Sequence, residues 1–183
     1  MKRQILMLVV GLGIAAQLAV PAWMIARQEW ILRNGTRVYF DTALRDPLDA
    51  FRGRYVAIGL AEFGTQNVRD FPSGKMLCAL LATNDAGVAR ITRINTEPPK
   101  DGSLFVNVKK EYVSRISNPF NRFYMPEKLA PVAEEIYNES VRGRGATNSV
   151  VLLAVRLHKG RGVVEDLLVD GVPMIEAARA RAK

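Results

Sequence analysis

The fold is decided by the stretch 149-SVVLLAVRLHKGRGVVEDLLV-169. Two aliphatic, β-branched runs, Ser149–Leu157 and Gly162–Val169, flank the four residues His158–Arg161, one of which is glycine. Such runs around a short polar segment predict an antiparallel hairpin. The pair Asp170-Gly171 follows as a tight turn, so the last third of the chain should form an antiparallel sheet.

Outside this hairpin, apolar and polar residues alternate in several further runs, and one segment has helical periodicity. The helix should begin near Ala130, because Pro131 fits only in the first turn of a helix. Hairpin order with one intervening amphipathic helix predicts an α+β fold on an antiparallel sheet, of a kind that can curl into a small barrel. The other strand-like runs are Thr36–Thr42, Tyr55–Glu62, Met76–Ala82 paired with Gly87–Asn95, and Leu104–Val108.

Three segments should end helices or form weak ones. Asn34-Gly35 is expected to stop a first helix, with the glycine in the left-handed conformation. Arg142–Gly145 should end the amphipathic helix, and Ile175–Lys183, rich in alanine and arginine, should be a frayed helical tail.

The N-terminal segment indicates a membrane anchor. Gln4–Ala26 contains 23 consecutive residues without a charge, and a helix of that length measures about 35 Å against roughly 30 Å for the hydrocarbon core. Lys2 and Arg3 should remain on the cytoplasmic side. We therefore expect a cytoplasmic stub at 1–3, a transmembrane anchor at 4–26 and one extracytoplasmic domain at 27–183, in the cytoplasmic (inner) membrane and facing the periplasm.

A cleaved signal peptide is the competing interpretation of the same segment. Its apolar region would be Ile5–Ala16, with a small-residue cleavage site at Val20-Pro21-Ala22. Trp23-Met24-Ile25 prolong the apolar run past that site to a full spanning length, which favours an uncleaved anchor. Both interpretations place the body outside the cytoplasm.

Composition excludes several kinds of chemistry. The single cysteine, Cys78, cannot form an intrachain disulfide, and with His158 as the single histidine the chain lacks the ligands of a structural zinc site. We predict no metal and no cofactor. The net charge of +8 becomes +6 for residues 27–183, which carry 24 basic and 18 acidic residues. Outside the cytoplasm, the expected partner of this positive charge is the anionic headgroups of the lipid bilayer and not nucleic acid.

The segment Arg52–Leu60, RGRYVAIGL, resembles the GDYXXLXY family of bacterial membrane-anchored proteins, whose hallmark is a Gly-Asp-Tyr turn that enters a strand. The corresponding positions are Gly53, Arg54, Tyr55, Ile58 and Leu60. Only the glycine and the first tyrosine are identical to the hallmark; the family aspartate is an arginine, its leucine an isoleucine and its second tyrosine a leucine.

Three other segments extend the resemblance over most of the chain: the Asp46-Pro47 turn, Arg122–Glu127 and Glu165–Pro173. The resemblance implies an accessory role beside a multi-pass membrane protein. It also implies a possible partner or ligand surface, made of Tyr55, Tyr124, Pro126, Glu127, Asp170 and Gly171.

Reactive side chains are few, so we expect a non-enzymatic protein and leave its activity open. The alternative is a membrane-anchored Ser/Lys hydrolase resembling signal peptidases, which needs a serine beside a buried, neutral lysine. The candidate pairs are Ser103 with Lys109 or Lys110, and Ser73 with Lys75. A third interpretation is a small-ligand module around Tyr55 and Tyr124.

Overall fold

The computed structural model describes residues 2–43, 55–64, 66–142 and 149–182. Three predicted features lie outside them: the Asp46-Pro47 turn, the Gly53-Arg54 turn and the Gly143–Gly145 helix exit. The first helix, α1 (Lys2–Asn34), runs without interruption through Pro21. Within it, Val10–Asn34 is long and apolar enough to be a candidate membrane span, as the sequence predicts.

Helix α1 ends at Asn34, as expected, but for a different reason. Gly35 has no positive φ; its N–H instead donates to the Ile31 carbonyl at 2.7 Å. A Cβ at this position would lie 2.6 Å from Ile31 O and 3.1 Å from Leu157 O. Glycine is therefore needed for the close approach of the helix end to the body.

Eleven strands and two further α-helices make up the described part of the body. The α-helices are α2 (Ala130–Arg142) and α3 (Met174–Arg181), and a short 3-10 helix covers Ala61–Phe63. The strands are β1 (Thr36–Ala43), β2 (Tyr55–Ala57), β3 (Gly59–Leu60), β4 (Met76–Thr83), β5 (Ala89–Asn95), β6 (Phe105–Tyr112), β7 (Arg115–Ile116), β8 (Arg122–Tyr124), β9 (Val151–His158), β10 (Arg161–Val169) and β11 (Val172–Pro173).

The strands form antiparallel sheets that curl into a half-barrel, which confirms the α+β expectation. A five-stranded sheet has the order β11-β10-β9-β1-β3, a four-stranded sheet has the order β5-β4-β6-β7, and β2 pairs with β8. Two isolated parallel bridges, Tyr39 to Val88 and Val106 to Gly160, join the larger sheets. The predicted hairpins β4–β5 and β9–β10 are both present.

The core lies between the sheets and is covered by α2. Phe40 on β1 is fully buried, and its ring lies 5.6 Å from that of Phe63 and 5.7 Å from that of Phe120, measured between centroids. The apolar face of α2 closes this core through Ile136 and Tyr137, among others. Helix α2 begins at Ala130, which confirms the prediction from Pro131.

The C-terminal tail is not frayed, contrary to expectation. Met174 and Ala178 of α3 are fully buried, and the Arg181 guanidinium pairs with Glu139 of α2 at 2.6 Å. The small side chain of Ala178 lets α3 pack closely on its neighbours. This packing holds a segment whose own sequence would be only a marginal helix.

Lys110 is a buried cation on β6, with only 4% of its surface exposed. It continues the inward alternation of Val106 and Val108. Its Nζ donates to the carbonyls of Arg69 at 3.1 Å and Phe71. Lys110 therefore ties the loop before β4 to the sheet.

We expect Lys110→Met to lower the free energy of unfolding by about 1–3 kcal/mol, because it leaves two carbonyls of that loop without their donor while conserving side-chain volume. Thermal and denaturant unfolding of the full chain in detergent would measure the loss. Lys109→Met, at the exposed neighbouring position, is the control and should change stability little. Equal effects of the two substitutions would contradict this role.

Gly160 docks the tip of the β9–β10 hairpin on β6. Its φ is +75°, and an added Cβ would lie 2.4 Å from Phe105 Cε2 and 2.7 Å from Asn107 Nδ2. We expect Gly160→Ala to lower the free energy of unfolding through backbone strain of about 1–2 kcal/mol and overpacking of about 1–3 kcal/mol.

The matched control is Gly171→Ala, since Gly171 has φ of +83° and no atom within 4 Å of an added Cβ. This substitution should lower the free energy of unfolding by the backbone strain alone, about 1–2 kcal/mol. If Gly160→Ala were no more destabilising than Gly171→Ala in the same unfolding measurement, the docking of the hairpin tip would not contribute to stability.

Candidate functional site

The family-motif strand crosses from one sheet to another. β2 pairs with β8, while β3, two residues later, pairs with β1. Ile58, between the two strands, is fully buried, and Leu60, in β3, is 5% exposed, so both motif positions belong to the core. Gly53 and Arg54 lie outside the described residues. Of the described motif side chains, only that of Tyr55 is partly exposed.

Two polar side chains, those of Asn118 and Tyr137, and the backbone carbonyl of Asn121 hold this crossing in place. The Ile58 N–H donates to the Asn121 carbonyl at 3.0 Å, and Asn118 Nδ2 donates to the Ile58 carbonyl at 3.2 Å. The Tyr137 hydroxyl accepts from the Gly59 N–H at 3.3 Å and donates to the Ala43 carbonyl at 2.9 Å. The crossing strand is therefore fixed to β1 and α2.

Sequence reasoning did not single out these side chains. Tyr137 counts in the sequence only as one apolar position of the amphipathic helix. Asn118 precedes Pro119, and an Asn-Pro pair is a turn signal, but its partner is 60 residues away along the chain. Local patterns cannot identify such a contact.

Tyr55 and Tyr124 face each other directly across β2 and β8. Their ring centroids are 5.8 Å apart in an edge-on arrangement, and the Arg122 guanidinium lies 5.0 Å from the Tyr55 ring centroid. Tyr124 is 65% exposed, whereas Phe123 on the opposite face of β8 is buried. We call Tyr55, Arg122 and Tyr124 the tyrosine face.

Pro126 and Glu127 follow the tyrosine face along the chain. The Pro126 carbonyl accepts from the N–H groups of Leu129 at 2.9 Å and Ala130 at 3.2 Å, which starts α2. Glu127 is exposed beside it. The structure thus brings four of the six predicted surface residues, Tyr55, Tyr124, Pro126 and Glu127, onto β2, β8 and the start of α2.

Asp170 and Gly171 have a different setting, in the turn between β10 and β11. Their φ values of 50° and 83° are typical of a tight hairpin turn. The Asp170 carboxylate accepts from the Val150 N–H at 2.8 Å, and the Asp170 N–H donates to the Val150 carbonyl at 2.9 Å. These contacts explain both residue types without a ligand.

A cleft of about 350 Å³ lies beside the motif crossing. Its floor includes Ile58 and Leu60, and its rim carries Glu111 and Arg115, both exposed. The amide of Asn118 in its wall is already used, because Oδ1 accepts from the Phe120 N–H at 2.9 Å and Nδ2 holds Ile58. The cleft can offer one charge of each sign to a ligand.

The candidate Ser/Lys pairs do not form a dyad. Ser103 precedes β6, whereas Lys109 and Lys110 lie in its second half, so about 20 Å of extended strand separates them. The Ser103 N–H donates to Asp101 Oδ1 at 3.0 Å, and hydrogen bonds from Ser103 lower the pKa of that carboxylate. The other candidate lysine, Lys75, is exposed and lacks the burial that would keep it neutral.

The thiol and the imidazole are both engaged in packing. Burial raises the pKa of the Cys78 thiol, whose Sγ lies 3.5 Å from Asn107 Oδ1; a protonated thiol is a poor nucleophile. His158, at the end of β9, is partly buried. Its ring packs edge-on against Trp30 of α1, with 4.6 Å between centroids.

Among the described residues, no group of three or more His, Cys, Asp or Glu side chains could hold a metal ion. The exposed aromatic rings and guanidinium of the tyrosine face are of the residue types enriched at protein interfaces.

Comparisons with known proteins identify one family. No curated protein and no solved structure matches the chain. The sequence model of one family, described as GDYXXLXY protein, matches residues 17–167. The match begins within α1 and ends within β10, so it includes the motif crossing and the tyrosine face. The chain belongs to the GDYXXLXY family.

Proposed function

We propose that this protein is a single-span accessory protein of the cell envelope, anchored in the cytoplasmic membrane by α1, and that its body lies outside the cytoplasm and scaffolds a multi-pass membrane protein. The observation that carries the proposal is the rigid junction between the candidate span and the body. One helix leaves the apolar segment and packs directly on β9 and β10, without an intervening linker.

The junction is made by several kinds of contact. Ile31 of α1 is 4% exposed, and Trp30 packs on His158. Just after the helix, Arg156 Nη1 donates to the Gly35 carbonyl at 3.2 Å. Glu165 pairs with Arg156 at 2.9 Å and with Arg37 at 3.0 Å, so β1, β9 and β10 are cross-linked where the helix enters.

A rigid junction suits a scaffold. A flexible tether would let the body rotate freely, whereas a packed helix fixes the orientation of the body relative to the membrane. A partner in the bilayer can then contact α1 and the body at once, and linking two contacts in this way raises the effective affinity. The same packing supports an uncleaved anchor, because cleavage after Ala22 would free the packed helix from the bilayer.

The tyrosine face is the surface that we assign to the partner. Tyrosine and arginine are the residues most often found at energetic hot spots of interfaces. On this face they are held in register by β-strand pairing, so little conformational entropy is lost when a partner binds.

The anchor and its orientation can be tested together. We expect the full chain to remain in membranes washed at alkaline pH, to retain its N-terminus by mass spectrometry, and to export a phosphatase fused after Lys183. Lys2→Glu with Arg3→Glu should reduce the exported fraction, because positive flanks stay inside. A mature protein that begins at Trp23, or a fusion active only in the cytoplasm, would contradict the proposal.

The partner surface can be tested by site-specific cross-linking. A photoreactive residue in place of Tyr124 should give a discrete cross-linked product with a multi-pass membrane protein. Arg122→Ala should reduce that product by about thirtyfold, which corresponds to the roughly 2 kcal/mol that a hot-spot residue contributes.

The control for this experiment is the same photoreactive residue in place of Tyr112, a tyrosine that is 69% exposed and lies outside the tyrosine face. It should not give the product. Identical products from both positions, or products with soluble proteins alone, would refute a specific partner surface.

A further inference from the structure

A groove of about 580 Å³ separates the last turns of α1 from the body, within the 300–1,000 Å³ usual for small-molecule sites. Helix α1 supplies one wall, including Trp23, Met24 and Arg27; the body supplies the other, including Phe120 and Arg161. We call this space the anchor groove. It is distinct from the cleft at the motif crossing and from the tyrosine face.

Glycines at the hairpin tip keep the groove open. Gly160 and Gly162 both line it. A Cβ on Gly162 would lie 2.5 Å from Phe120 Cε1 and 2.6 Å from Leu157 Cδ2, so a larger residue would displace the aromatic wall. The body side of the groove is continuous with the core, since Phe120 is only 3% exposed.

The charge of the groove is one-sided. Arg27 and Arg161 line it, and no Asp or Glu does so among the described residues. The Arg27 guanidinium also lies 5.3 Å from the Trp23 ring centroid, an arrangement that holds the cation above an apolar surface. Two guanidinium groups over an apolar floor complement a ligand with a phosphate and a hydrocarbon part.

The groove lies beside the end of the apolar run of α1. Arg27 is the first charge after the apolar run, and Trp23, one helical turn earlier, is 62% exposed. Tryptophan and arginine at the end of a span are typical of the headgroup level. If α1 spans the bilayer, as proposed above, the apolar end of the groove meets acyl chains and the arginines meet phosphates.

We infer that the anchor groove holds one anionic phospholipid of the surrounding bilayer. Its phosphate binds Arg27 and Arg161, and one acyl chain lies along Trp23, Met24 and Phe120. The inference rests on the proposed placement of α1 in the membrane. The bound lipid fills the space between helix and body, and so becomes part of the rigid junction.

The test uses the full chain in nanodiscs of phosphatidylcholine that contain phosphatidylglycerol with a photoactivatable group on its acyl chain. We expect cross-links to body residues of the groove, near 105–107, 119–120 and 160–163, in addition to α1. Arg27→Gln with Arg161→Gln should reduce the cross-links to the body by about tenfold, because each arginine near the surface attracts anionic lipid.

The control variant is Arg33→Gln with Lys159→Gln. It removes the same charge from α1 and from the β9–β10 hairpin, but neither residue lines the groove, and the Arg33 pair with Glu29 is well exposed. This variant should cross-link like the unmodified protein. Photoactivatable phosphatidylcholine should label the body much less than phosphatidylglycerol does.

Three results would overturn the inference: cross-links confined to α1, equal labelling by the two lipids, or equal loss in the two double variants. Cross-linking in native membranes adds a fourth, a protein partner in the groove that excludes lipid. Flotation of the nanodiscs tests the anchor separately. A chain that floats without groove cross-links refutes the lipid site alone, whereas a chain that does not float refutes the anchoring.

Discussion

The body depends on the docking of one hairpin tip. The Asn107 N–H of β6 donates to the Gly160 carbonyl at 2.8 Å, and Gly160 sits against Phe105 and Asn107 with no room for a Cβ. This contact joins the five-stranded sheet to the four-stranded sheet. It is matched at the other hairpin, where the Tyr39 N–H donates to the Gly87 carbonyl at 3.0 Å. The two larger sheets of the half-barrel are thus joined at two hairpin turns, one at Gly160 against β6 and one at Gly87 against β1.

The same hairpin also packs against α1, which carries the candidate membrane span. Its β9 end carries His158 against Trp30, and its tip forms one wall of the anchor groove. Because one element contacts the second sheet and α1, a displacement of the helix would be transmitted to the sheet packing. Helix α1 and the body therefore pack as one unit, an arrangement that suits the scaffold role proposed above and that a passive tether would not need.

Much of the fold could be predicted from the sequence, because its elements are marked locally. Alternation and short turns located the hairpins β4–β5 and β9–β10, and Pro131 located the start of α2. The remaining features depend on contacts between distant segments. The short strands β7 and β8 are defined by their pairing with β6 and β2. Helix α3 is held against α2 by the Arg181 ion pair and by the burial of Ala178. No periodicity records those contacts.

The positions of some candidate site residues, though not their role, could also be predicted. Tyr55 and Tyr124 were expected on one surface, and strand pairing does place them opposite each other. Asp170 and Gly171 were grouped with them by resemblance alone, yet the turn they form explains their identity. The anchor groove has no sequence signature, because Arg27 and Arg161 are 134 positions apart in the sequence and become neighbours of one space only through hairpin docking.

The departures from the family motif make sense in the light of burial. Ile58 and Leu60, which replace a leucine and a tyrosine of the hallmark, point into the core, where an apolar side chain of adequate size is sufficient. Tyr55 retains the hallmark residue and is the described motif side chain that reaches the surface. Among the described motif residues, Tyr55 is therefore the one whose side chain reaches the surface, beside the Tyr124 ring and the Arg122 guanidinium.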